Sequence, residues 1–190
     1  MVDAEKADVS AIPQAATLLW RALESGRYTY CLLLAPLLLA FGIAFNVKLQ
    51  SLDRSWLEWA PFHAKANIAL LPIRVRWLWL PYALLLAFCM PYLAFFEEWL
   101  FRSGTTDWVR GVLWGSLAFG AFHLCSLVSI RMAIYLSLVG AILVCLYMVD
   151  GIVAVFVLHA VYNLSALALT VATRKRALPY GQTLRRVLGT

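Results

Sequence analysis

Charge is scarce in this sequence: Asp, Glu, Lys and Arg make up 14% of its 190 residues, against about 25% in soluble domains. With 63% hydrophobic residues and a mean hydropathy of +0.79, the chain carries more apolar surface than a water-soluble core of this size can bury. Paired cysteines are lacking too. Cys31, Cys89, Cys125 and Cys145 each sit inside an apolar run, with no C-x-x-C pair and no histidine at ligand spacing, so they read as buried thiols. No segment recurs at a fixed period, which excludes a repeat array. The ten-residue alternation of a membrane β-barrel is also missing. No small-residue cleavage site closes the first apolar run, which is therefore read as a retained span and not a removed signal peptide.

What remains is long hydrophobic runs. Crossing ~30 Å of hydrocarbon takes about 20 mainly apolar residues, and five runs meet that length: Tyr28 to Val47, Trp77 to Phe101, Gly111 to Ile130, Met132 to Val149 and Gly151 to Thr173. Trp77, Trp79, Tyr82, Trp108 and Trp114 fall near the proposed ends, where amphipathic rings favour the headgroup layer. The predicted fold class is all-α: a polytopic transmembrane helix bundle of about five spans plus an interfacial segment.

The interfacial segment, 48–76, mixes Trp56, Trp59 and Phe62 with Lys48, Arg54, Lys65, Arg74 and Arg76, the composition of an amphipathic helix lying on a bilayer. Residues 174–190 form a basic tail with Arg174, Lys175, Arg176, Arg185 and Arg186, read as a cytoplasmic stop signal that touches anionic lipid and not as a nucleic-acid site. The chain thus divides into 1–76 (first span and interfacial region), 77–173 (a four-helix membrane core) and the tail 174–190. Five spans put 11 of the 16 basic residues on one side and 5 on the other. By the positive-inside bias, the C-terminus is cytoplasmic and the loop around Thr105 lies outside.

An ionisable side chain within a span costs several kcal/mol unless it faces a cavity or a partner. The spans hold few: Glu97, Glu98 and Arg102 in the second, His123 in the third, and His159, accompanied by Asn163, in the fifth. At ~1.5 Å per residue, Glu97 lies ~10 Å from the loop at Gly104, His123 ~18 Å below Gly111, and His159 and Asn163 ~12 and ~18 Å below Gly151. Each of these features has a bland alternative. Glu98 and Arg102, at i,i+4, can be a simple helix-stabilising ion pair; His123 can be an interhelical hydrogen bonder and Asn163 packing glue. Polar residues scattered without function would have no reason to agree in depth, and that agreement favours one shared site. Glu98 is expected to pair with Arg102, leaving Glu97, turned about 100° away, free to take a proton. Phe119, one turn before His123, is expected to hold that imidazole against an apolar wall. His63, in the interfacial segment, receives no role.

These residues compose three signatures in order: Glu97-Glu98-Trp-Leu-Phe-Arg102, Phe119-Gly-Ala-Phe-His123 and His159-Ala-Val-Tyr-Asn163. The set resembles the type II CAAX endopeptidases and their bacterial Abi or CPBP relatives, including lysostaphin-resistance-protein-A-like members, over roughly residues 90–168. A departure is Ser103, where many relatives carry glycine. The resemblance implies an intramembrane endopeptidase that hydrolyses a peptide bond near the C-terminal region of a membrane-anchored protein. In that scheme Glu97 is the general base, His123 binds and orients the water, and His159 and Asn163 stabilise the oxyanion, with Glu98, Arg102 and Phe119 in support. A carboxyl at membrane depth suits the base, and neutral donors gain strength in a low dielectric.

Glu97, His123 and His159 are also the residues that could ligate Zn²⁺. They lie on three helices without H-E-x-x-H spacing, and the metal-free mechanism accounts more naturally for Asn163, so no cofactor is expected. The expected partners are a membrane-anchored protein or peptide and the lipid bilayer, with no nucleic acid. A different class of function, a non-catalytic binding or immunity protein or a small proton-coupled transporter, would also place Glu and His at mid-membrane. Paired repeats with helices broken at matching positions, the mark of many transporters, are not evident, Pro36, Pro81 and Pro91 not being so placed.

Overall fold

The structure, a computed structural model, describes residues 9–52, 54–60, 75, 78–125 and 128–173. His63, most of the interfacial segment and the basic tail lie outside the described residues.

Among the described residues the regular structure is helical. A 3₁₀ turn, Val9–Gln14, leads into α1 (Ala15–Glu24), and α2 follows as Thr29–Gln50. A second 3₁₀ turn, Ser55–Glu58, precedes α3 (Trp79–Arg102). Helix α4 (108–125) has three parts: an α-helical turn Trp108–Arg110, a π-helical stretch Gly111–Ala118, and α-helical Phe119–Cys125. Helix α5 runs Ile130–Thr173. Three of these, α2, α3 and α5, are long and apolar enough to cross a membrane.

Helix α5 is 44 residues long, which as one rod would measure about 66 Å, twice a bilayer core. It is not one rod. Gly151 has φ 80° and ψ −174°, outside the helical region and in the left-handed half that glycine tolerates best. On a straight helix Tyr135 and Tyr162 would stand about 40 Å apart; their hydroxyls are 3.3 Å apart. The helix therefore doubles back at Gly151 into two antiparallel limbs, 130–150 and 152–173, matching the two separate runs expected there.

The hairpin is the centre of the bundle. Along the second limb, the residues from Ala154 to Ala160 are buried without a break, as on a helix enclosed on every side. Phe95 of α3 meets Phe156 edge-on at 5.2 Å, and Tyr135 of the first limb donates its hydroxyl to the Leu38 carbonyl of α2 at 2.6 Å. Helix α1, which the sequence reading passed over, lays Ala15, Leu19 and Ala22 on the same core. That i, i+4, i+7 stripe is short, and it was overshadowed by the longer runs.

Helix α4 lies unusually close to the first limb because glycines line the crossing. A Cβ on Gly120 would come within 2.6 Å of the Ala133 carbonyl oxygen, and one on Gly140 within 2.9 Å of the Gly115 carbonyl oxygen. Small residues let membrane helices approach at backbone distance, and Ser116 uses that closeness to bond the Ser137 carbonyl at 2.7 Å. Among the described residues its turns reach Cys125 and residues 128–129 are not helical, so it stops short of the expected Ile130.

The outer faces reverse the soluble pattern. Leu33, Leu37 and Phe41 form an exposed stripe on α2, and Leu84, Leu85 and Phe88 stand out from α3. Contiguous apolar surface on this scale belongs against hydrocarbon, and the chain is an integral membrane protein.

Candidate active site

Each of the three motif helices contributes to one point. Helix α3 is α-helical through Glu97, Glu98 and Arg102, and the i,i+4 spacing brings Arg102 Nη1 within 2.9 Å of Glu98 Oε2, both side chains fully buried. The guanidinium also donates from Nη2 to the Gly115 carbonyl at 3.0 Å and lies 4.6 Å over the Phe119 ring. Gly115 belongs to the π-helical stretch of α4. Such stretches frequently mark functional sites, and here one carries the carbonyl that receives Arg102.

Beyond that stretch α4 resumes α-helical turns, so Phe119 and His123 share a face. The Phe119 carbonyl accepts from His123 Nδ1 at 2.8 Å, and the Phe119 ring meets the His123 ring at 4.6 Å and the His159 ring at 5.9 Å. Phe119 thus walls both imidazoles and the guanidinium, more than the single wall expected of it.

From the second limb of α5, His159 reaches between the two glutamates. Its Nδ1 is 2.5 Å from Glu98 Oε1 and its Nε2 is 3.6 Å from Glu97 Oε2. His123 Nε2 lies 3.7 Å from the same oxygen. A carbonyl only accepts, so the proton of His123 is on Nδ1; the ionised carboxylate of Glu98, facing Arg102, assigns the His159 proton to Nδ1 in the same way. Both Nε2 atoms face Glu97, whose Oε2 is buried with no hydrogen-bond partner among the described residues.

Glu97, His123, His159 and Asn163 line one cavity of about 60 Å³, with Phe119, Tyr162 and an aliphatic wall that includes Leu38 and Leu143. By the same measure a single water needs roughly 10–15 Å³, so the space admits a few waters beside Glu97 without rearrangement.

Two features were not foreseen. Glu98 was expected mainly to pair with Arg102, but it holds His159 as well, a contact between α3 and α5 that no spacing within either helix encodes. Tyr162 also lines the cavity, and its position three residues after His159 was a usable signal. The three residues that could ligate Zn²⁺ face one another, a single Glu97 oxygen lying 3.7 Å from His123 Nε2 and 3.6 Å from His159 Nε2.

Residues 75–165 match the family model described as type II CAAX prenyl endopeptidase Rce1-like. No curated protein and no solved structure matches the chain. The matched segment contains all five polar residues that line the cavity, Glu97, His123, His159, Tyr162 and Asn163, together with Glu98, Arg102 and Phe119. Over residues 75–165 the chain is thus similar to the type II CAAX prenyl endopeptidase Rce1-like family, the family its three motifs resemble.

Proposed function

We propose that the protein is an intramembrane endopeptidase that cleaves a membrane-anchored protein near its C-terminal region, using water activated by Glu97 and no metal. The family points to a CAAX-type protease. The observation that carries the mechanism is Glu97 Oε2, buried, unpartnered and aimed into a polar pocket between two imidazoles.

Water held between Glu97 and His123 gives a proton to the carboxylate and its oxygen attacks the scissile carbonyl. The developing oxyanion is received by the Asn163 amide and by His159. Because Glu98 keeps one proton on His159 Nδ1, a donor role for Nε2 requires the doubly protonated ring, and Glu98 faces that positive charge. Collapse of the tetrahedral intermediate breaks the C–N bond, and Glu97 returns its proton to the leaving amine. The test on the purified protein is cleavage of a membrane-anchored reporter peptide in the presence of 1,10-phenanthroline or EDTA. Activity should persist. Loss that Zn²⁺ restores would replace this mechanism with a metal-dependent one.

We further infer five crossings: α2, α3, α4 and the two limbs of α5. Contacts at opposite ends support the alternation. Arg27, before α2, pairs with Asp150 at the hairpin turn at 2.9 Å, while Glu58, after α2, pairs with Arg131 at the start of α5 at 2.6 Å. With the C-terminus cytoplasmic, the loop between α3 and α4 is outside. Thr105, the residue singled out in that loop, is 3% exposed and a poor reporter; Thr106 is exposed. A Thr106→Cys variant in intact cells should react with an impermeant thiol reagent. Reaction only after permeabilisation would invert the topology and make cytosolic tails the substrates.

A further inference from the structure

The proposed mechanism leaves one polar group of the cavity unused, the Tyr162 hydroxyl. Tyr162 lies on the limb that bears His159 and Asn163, and its side chain lines the same cavity. Behind it stands Tyr135, 1% exposed, whose hydroxyl is 2.6 Å from the Leu38 carbonyl. That carbonyl can only accept, so the single phenolic proton of Tyr135 is committed to it. In the contact between the two hydroxyls, Tyr162 must therefore be the donor. At 3.3 Å that bond exceeds the usual 2.5–3.0 Å of an O–H···O pair. Tyr162 thus carries a proton on a weak, replaceable acceptor at the edge of the site, while Tyr135 is locked in place.

A peptide entering this cavity needs such a group. Its backbone carbonyls lose their water, and an unpaired carbonyl in an apolar setting is costly. Much of the wall is aliphatic: Leu38, Leu136, Val139, Leu143 and Leu158. The other polar side chains lining it, Glu97, His123, His159 and Asn163, are engaged with the reacting atoms. We infer that Tyr162 is a substrate-binding residue whose phenol leaves Tyr135 and donates to a backbone carbonyl of the bound peptide beside the scissile bond. Tyr135, fastened to α2 through Leu38, sets the starting position of that hydroxyl, so the first span takes part in substrate recognition although it lies outside the matched segment.

The inference rests on the peptidase reading, and the experiment separates the two. In a Glu97→Gln background, which holds the peptide uncleaved, affinity for a fluorescent membrane-anchored peptide is measured in lipid nanodiscs. Adding Tyr162→Phe should weaken binding about five- to tenfold, the effect of one lost neutral hydrogen bond. Adding Tyr135→Phe, which removes the resting acceptor but keeps the Tyr162 hydroxyl, should cost much less. In the active protein, Tyr162→Phe should raise KM by the same factor with kcat nearly unchanged. Equal losses in the two tyrosine variants, or a fall in kcat at constant KM, would overturn the inference. Unchanged affinity and KM in Tyr162→Phe, with cleavage intact in the parent and lost in Glu97→Gln, would sink this inference alone. A parent protein that cleaves nothing would sink the peptidase reading beneath it.

Discussion

Replacing Glu97 with Gln should reduce cleavage of a membrane-anchored peptide by at least the 10²- to 10⁴-fold typical of a lost general base, while the protein folds as well as before or better. The two halves of this expectation have one source. Glu97 Oε2 is buried, makes no hydrogen bond among the described residues and meets His123 and His159 only at 3.7 and 3.6 Å, so it holds the bundle together less than Glu98 does. An amide of the same shape keeps the packing and removes the base. Active-site groups are commonly retained at a cost to stability, and thermal unfolding in detergent should show an equal or raised midpoint. Cleavage at the parent rate by Glu97→Gln would remove Glu97 from the mechanism.

Glu98→Gln should behave in the opposite way, lowering both the yield of folded protein and the activity of what folds. Arg102 is fully buried with its charge against Glu98, and stripping one partner from a buried ion pair costs about 3–5 kcal/mol. The activity loss has a different origin, because Glu98 also holds His159 Nδ1. A double variant separates them. Glu98→Gln with Arg102→Met removes the stranded cation, so stability should recover in part, but the facing carboxylate of His159 is still missing. Activity per folded molecule should therefore stay low. Full recovery of activity would mean that Glu98 acts only through the ion pair.

Much of this site could be read from residues alone because its ingredients are so out of place. Glu97, His123, His159 and Asn163 stand in apolar runs, and membrane thickness turns residue counts into depth, so their convergence followed from helix rise. The break between the fourth and fifth runs was legible for the same reason, since no single crossing accommodates 44 residues. Contacts between helices were not legible. Glu98 reaching His159 and Leu38 joining the cavity wall depend on how α2, α3 and α5 are rotated about their axes, and hydrophobic runs polar at only a few positions do not specify rotation. The π-helical stretch Gly111–Ala118 was hidden as well, because its glycines suit either helix type. Thr105 looked like a loop tip but is tucked in, its amide bonded to the Arg102 carbonyl at 3.0 Å behind the left-handed Gly104.

The Glu98–Arg102 ion pair also bears on how the protein enters the membrane. Helix α3 emerges before α4 and α5, and it carries three of the charges of the finished site into the lipid. Each would weigh against insertion by about 2.5–3.5 kcal/mol at mid-bilayer if it entered alone. Two of them are four residues apart on one helix, so they neutralise each other as soon as that helix forms, before any partner helix exists. Only when the hairpin around Gly151 arrives later does His159 dock on the ready-made pair. The order of synthesis thus runs from a helix whose Glu98 and Arg102 are already balanced to a pocket shared with the later helices.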